Sequence, residues 1–397
     1  LVRSLLVLTL KLKTIGNLHI EKICSFVQTI FQILNKALVN NLLQLRAIIY
    51  IFLLCLAFEA KAQDIHYTQF QNSPLNLNPG LAGVFGGDGR AIFNYRSQWR
   101  SVRVPYTTFS GSIEGKLYLN RGVYSKYITG GLLINQDDQG SLHLKSTLVG
   151  LPIGLTLPVG KANYLTVGVT PAFGQRRFDT KDVTFDSQWK NRIYDPSNDS
   201  HEDQLLSNTN LKYFDLSAGV NYRMQSTKRR NRLDLGYAMH HINRPSQDFY
   251  SSSLTNPGTI RLRSKSTFYM TGLVQLQGNF DLIGSVLWQK QGAARELVYG
   301  LSARFHLDQT KYHEMALQIG INRRHYYNDA IVPHIEFLFR TLTVGMTYDI
   351  NWLPKIGNVT PPASQLITQG RGGPELAIIY RFYKVKPLAK FKSCPII

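Results

Sequence analysis

Three features are scarce in this 397-residue chain. Cysteine occurs three times, as Cys24, Cys55 and Cys394, too few for a disulfide framework. Beyond the first 62 residues there is no apolar run of about 20 residues, which excludes a bundle of membrane-crossing helices. Negative charge is also sparse, with 25 Asp+Glu against 45 Lys+Arg and a net charge of +20. What is abundant is glycine (31) and aromatic residues (21 Tyr, 20 Phe), a composition that excludes a disordered chain.

Residues 1–62 stand apart. Arg46 precedes the apolar run Ala47–Phe58, and Ala60-Lys61-Ala62 precedes Gln63. A basic flank, a short apolar core and an Ala-x-Ala site predict a secretory signal peptide cleaved after Ala62. The run is too short to span a bilayer as a helix. Residues 1–40 are expected to be upstream extension, with initiation near Leu42–Leu45. The mature chain, 63–397, then carries one cysteine and is exported without structural disulfides.

The body alternates with a period of two. In Tyr213–Met224 the residues Phe214, Leu216, Ala218, Val220 and Tyr222 fall on one face. Asp215, Ser217, Asn221 and Arg223 fall on the other. About fourteen such segments are expected: 89–99, 106–118, 127–135, 142–155, 163–175, 213–224, 231–241, 263–275, 279–289, 295–306, 314–323, 330–339, 341–351 and 375–383. Most are longer than strands of soluble sheets and match the length that crosses a bilayer at a tilt. Long connections (176–212, 242–262, 352–374) follow odd-numbered segments, and tight ones follow even-numbered segments. That asymmetry predicts an all-β fold: a transmembrane up-and-down antiparallel barrel with short turns at the periplasm. Aromatics near segment ends, among them Tyr95, Tyr127, Trp288, Tyr348 and Tyr380, are expected to form interfacial girdles.

Four regions are therefore expected: a leader over 1–62, an N-terminal periplasmic or plug segment over 63–88, a barrel over 89–383 and a basic tail over 384–397. The segment 63–88 lacks a period but carries Tyr67, Phe70, Leu75, Leu77 and Leu81, which need burial. It precedes the first strand, so it is expected to begin on the periplasmic side and to close the lumen or dock a partner.

No catalytic pattern stands out. The chain has no Gly-x-Ser-x-Gly, His-Glu-x-x-His or P-loop motif, and it is read as a non-enzyme without cofactor or metal. His240 and His241 are adjacent in a strand, so they are expected on opposite faces and not as a metal pair. The runs Arg176-Arg177, Lys228-Arg229-Arg230 and Arg323-Arg324 are read as contacts to outer-membrane lipid and lipopolysaccharide and as lumen ion pairs. Nucleic-acid binding is not expected of an exported barrel.

Several stretches, in order, carry a resemblance. They are Gln63-Asp64-Ile65-His66-Tyr67-Thr68-Gln69-Phe70, Asn72-Ser73-Pro74-Leu75-Asn76-Leu77-Asn78-Pro79-Gly80-Leu81-Ala82-Gly83, Asn94-Tyr95-Arg96-Ser97-Gln98-Trp99 and Pro105-Tyr106-Thr107-Thr108. His241-Ile242-Asn243-Arg244-Pro245, Gln289-Lys290-Gln291-Gly292, Arg324, Asp329-Ala330-Ile331 and Tyr348-Asp349-Ile350-Asn351 follow. Over 63–383 this resembles the PorP/SprF family. The resemblance implies an outer-membrane barrel of the Bacteroidetes type IX secretion and gliding machinery. Such a barrel would anchor secreted cargo or adhesins at the cell surface and dock to periplasmic ring proteins. It points to Gln69, Asn72, Pro74, Asn78, Pro79 and Gly83 as plug or partner-binding residues, and to Arg96, Gln98, Arg324, Asp329 and Asp349 as lumen or motif polar residues. A transporter or porin for a small or apolar solute is the alternative.

Overall fold

The computed structural model describes residues 67–98, 106–119, 125–140, 144–160, 162–178, 188–190, 193–195, 209–249, 260–310, 313–325, 330–351 and 372–384. The expected leader, Asp329, Trp99, most of the loops 176–212 and 352–374, and the tail beyond Lys384 lie outside the described residues.

Fourteen spanning strands form one antiparallel sheet among the described residues. They are β1 (Gly89–Gln98), β2 (Tyr106–Tyr118), β3 (Tyr127–Gln139), β4 (Leu144–Gly150 continued by Ile153–Pro158) and β5 (Asn163–Arg177). β6 (Asn210–Gln225), β7 (Arg232–His240), β8 (Lys265–Gln277), β9 (Phe280–Gln291) and β10 (Ala294–Asp308) follow. β11 (Met315–Arg324), β12 (Ala330–Phe339), β13 (Leu342–Tyr348 continued by Ile350–Asn351) and β14 (Pro374–Phe382) complete the set. Each strand pairs with its sequence neighbours, and β1 pairs with β14 from Gly89↔Phe382 to Arg96↔Glu375. The sheet therefore closes on itself and leaves no edge, the condition for β-structure in lipid.

β4 breaks at Leu151-Pro152. Proline has no N–H to give to the ladder. The break still wastes few hydrogen bonds, since Gly131 N–H donates to the Pro152 carbonyl (3.0 Å) and Leu151 N–H donates to that of Pro171 (2.9 Å).

The two faces are inverted relative to a soluble protein. Outward residues are apolar: Ile113, Leu117, Val167, Val169, Phe173, Leu301 and Ile319 are all exposed. Inward residues are polar and buried, such as Asn94, Glu114, Thr166, Asn221, Asp234, Thr267 and Gln318. The three longest connections follow β5, β7 and β13 and share one rim, and the turns after β4, β6, β8, β10 and β12 share the other. Short turns face the periplasm in outer-membrane barrels, which puts the long-loop rim at the cell surface.

Two expectations change. Tyr127 does not join a girdle at the membrane surface; it is fully buried in the lumen, where its hydroxyl has a partner. His240 and His241 do not face opposite ways. β7 ends at His240, and His241 takes a left-handed backbone (φ 55°), so both rings are buried.

Candidate functional site: the lumen and its plug

The segment from Tyr67 to Phe85 lies inside the barrel. Three short helical turns carry it, Phe70–Asn72, α1 (Pro74–Leu77) and Pro79–Leu81. Pro74 and Pro79 each open a turn, where the missing proline N–H costs nothing. Phe70, Leu77, Leu81 and Val84 pack with the lumen residues Tyr127, Tyr164, Tyr269, Leu287 and Val298. This apolar cluster gives the greasy residues of the segment the burial they need. Its first described residues do not lie at the periplasmic rim: the backbone N–H groups of Thr68 and Gln69 find their acceptors near the long-loop rim, and the chain descends from there.

Those acceptors are buried carboxylates. Thr68 N–H donates to both oxygens of Glu375 (3.1 and 3.0 Å), and Gln69 N–H donates to Oε2 (3.2 Å). Thr68 Oγ1 donates to Asp349 Oδ1 (2.9 Å). Arg96 then bridges the two acids, with Nε 2.8 Å from Glu375 Oε1 and Nη2 3.0 Å from Asp349 Oδ2. Arg324 Nη2 lies 2.7 Å from the same Asp349 oxygen, and its Nε lies 3.4 Å from Glu296. Arg96 and Glu375 are cross-strand partners in the ladder that closes the barrel, so this ion pair also ties the seam. Tyr67 sits above it, and burial together with the Glu375 charge pushes its phenol well above the ordinary range.

Below this latch of Glu375, Asp349, Arg96, Arg324 and Thr68, amides hold the plug to the wall. An amide both donates and accepts, which suits a lumen lined with hydroxyls, carbonyls and acids. Gln69 Nε2 donates to Thr347 Oγ1 (3.1 Å), and Asn72 Nδ2 donates to Glu336 Oε1 (3.0 Å). Asn76 donates to Ser110 Oγ (2.8 Å) and accepts from Asn135 (2.7 Å). Asn78 Nδ2 donates to the Val220 carbonyl (2.9 Å), while its Oδ1 accepts from Gly80 N–H (2.7 Å).

The turn at Pro79-Gly80 rests on a flat row of small residues. Gly154 pairs with Gly168, Gly168 with Gly219, and Gly219 with Ala238, across β4, β5, β6 and β7. A methyl group on Gly168 would meet the Pro79 carbonyl, and one on Gly219 would meet Asn78 Oδ1. On the plug side, a methyl on Gly80 would lie 2.8 Å from the Val220 backbone. Backbone therefore sits against backbone here, and only glycine leaves the space.

At the short-turn rim Gly83 takes φ 78°, a left-handed conformation. Its N–H donates to Glu114 Oε2 (2.8 Å) and its carbonyl accepts from Tyr127 Oη (3.0 Å). Arg90 pairs with the other oxygen of Glu114. Lys116 Nζ donates to the Phe85 carbonyl (2.5 Å) and lies 4.4 Å from the centre of the Phe85 ring, a cation–π contact.

The resemblance-derived residues thus fall into two groups. Gln69, Asn72, Pro74, Asn78, Pro79 and Gly83 are all buried between the plug and the wall. Arg96, Arg324 and Asp349 meet in the latch. Gln98 is half-buried on the same face of β1 as Arg96, and Asp329 lies outside the described residues. Glu375, Glu336, Glu114 and Thr68 also hold the plug, though no sequence motif marks them as site residues. Each was visible only as a polar residue on the inward parity of its strand, or as a hydroxyl beside Gln69.

A family model described as type IX secretion system membrane protein PorP/SprF matches residues 59–369. The chain belongs to the PorP/SprF family. A closed barrel with an apolar exterior, in a family of type IX secretion membrane proteins, is an outer-membrane protein. Other barrels are similar in outline. The CymD monoaromatic hydrocarbon channel is 10% identical, with 79% of this chain and 93% of that chain covered and a TM-score of 0.43. The P. putida toluene transporter TodX is 7% identical, with 78% and 93% covered and a TM-score of 0.43. A Pseudomonas aeruginosa FadL homologue is 10% identical, with 77% and 93% covered and a TM-score of 0.42. No curated protein matches the chain.

Proposed function

We propose that this PorP/SprF barrel is an anchoring platform of the type IX machinery. It holds secreted cargo or an adhesin at its long-loop rim and docks to periplasmic ring proteins at its short-turn rim. It performs no catalysis. The observation that carries this reading is the plug. The lumen is occupied by the chain's own residues, tied to buried Glu375, Asp349, Glu336 and Glu114. A lumen fastened along its length suits a support better than a conduit, and it leaves the two rims as the surfaces for partners.

A disulfide lock tests the reading. Asn76 and Ser110 have side chains in hydrogen-bond contact, so Asn76→Cys with Ser110→Cys should bridge the plug to β2 under oxidation. Cargo delivery to the cell surface should survive the lock, and crosslinkers placed in the rim turns should capture ring proteins. Loss of delivery on oxidation with recovery on reduction would overturn the platform and favour a plug that must leave. The transporter alternative makes its own claim: steady solute flux into liposomes that stops when the lock closes.

A further inference from the structure

Beside the lower part of the plug, towards the short-turn rim, lies a cavity of about 230 Å³ lined by five arginines: Arg90, Arg223, Arg232, Arg304 and Arg381. All five lie near strand ends at that rim, on β1, β6, β7, β10 and β14. Two carboxylates line it with them, Asp234 and Glu336. Asp234 is committed to Arg223 (2.5 Å) and to Arg232 (3.3 Å), Glu114 to Arg90, and Glu336 accepts from Asn72.

Arg304 and Arg381 are left over. Arg304 donates to a neutral partner, the Gln318 side chain (3.0 and 2.6 Å). Arg381 has a buried Nε without a hydrogen-bond acceptor. Among the described residues neither is in an ion pair. Like charges crowded in a poorly solvated space repel, and an anion between them removes the cost. Part of the lining is apolar: Leu81 and Val84 from the plug, Leu338 and Ile379 from the wall.

We propose that this vestibule is a binding site for a small phosphomonoester with a short apolar body, reached from the periplasm. Five arginines set against Asp234, Glu336 and the Glu114 carboxylate on Arg90 leave a surplus of two positive charges, which matches the near-double charge of a phosphate monoester at neutral pH, and the guanidinium fork suits its oxygens. The apolar part of the lining takes the organic part. The volume admits a small molecule and no folded domain.

Calorimetry on the full mature barrel in a maltoside detergent tests the site, with hexyl phosphate as the probe. Saturable binding is expected, and Arg304→Gln with Arg381→Gln should weaken it by about tenfold or more. Inorganic phosphate should bind more weakly than hexyl phosphate, and hexanol should not bind. The heat-shifted gel mobility of a folded barrel establishes that the variant is intact, and Arg381→Lys, which keeps the charge, should retain binding better than Arg381→Gln. Equal affinity in the wild type and the double variant would overturn the site. Saturation by hexanol, or phosphate alone binding as tightly as its hexyl ester, would overturn the assignment of its ligand.

Discussion

At the scale of single residues, the latch concentrates the chain's scarce acids. Glu375 receives two backbone N–H groups from the plug and the guanidinium of Arg96, and its side chain is 2% exposed. Removing one partner of such a buried pair leaves the other charge unmatched, which costs about 3–5 kcal/mol. Glu375→Gln should therefore lower the midpoint of urea unfolding in detergent, whereas adding Arg96→Met should recover part of the loss. A double variant whose loss equals the sum of the two singles would show that the pair is not coupled. Tyr67 belongs to the same scale. Its raised phenol stays neutral across the physiological range, so the plug adds no charge of its own beside the acids that hold it.

At the scale of elements, the plug and the glycine row form one joint. Gly168 and Gly219 face the turn at Pro79-Gly80 so closely that one methyl group has no room. Gly168→Ala is expected to lift this turn while leaving the strand pairing in place. Limited proteolysis at the short-turn rim should then cut within 67–85 in the variant, under conditions where the wild type resists. An unchanged digestion pattern would mean that the wall yields instead. Deleting 67–81 should have a stronger effect of the same kind: a barrel that still shows heat-shifted gel mobility but conducts ions in a planar bilayer, which the wild type does not.

At the scale of the whole molecule, stability depends on which solvent meets which face. The outward residues of all fourteen strands are suited to acyl chains, and the ladder closes so that no strand edge remains. A charge placed outward near mid-membrane is expected to cost about 2–4 kcal/mol. Val169→Arg, on the outward face of β5, should reduce folding into lipid vesicles by that measure, read from urea titrations. The same logic requires a surfactant or bilayer for solubility. A mature chain that stayed monodisperse in plain buffer would contradict the membrane-spanning barrel.

The period-two alternation, the strand lengths and the loop asymmetry were enough, in the sequence alone, to settle a closed barrel of fourteen strands and the sense of its faces. Each of those is a local property, repeated along the chain, and a strand's inward and outward parity does not depend on its partners. The motif residues Arg96, Arg324 and Asp349 were also legible, but as separate marks. Only the tertiary structure decided that they meet Glu375 and Thr68, that the plug descends from near the long-loop rim, and that Tyr127 and His241 turn inward. Those outcomes depend on what stands across the lumen, on strands up to some three hundred residues away in the chain. A pairing of that kind is set by closure of the barrel, and no pattern within one segment encodes it.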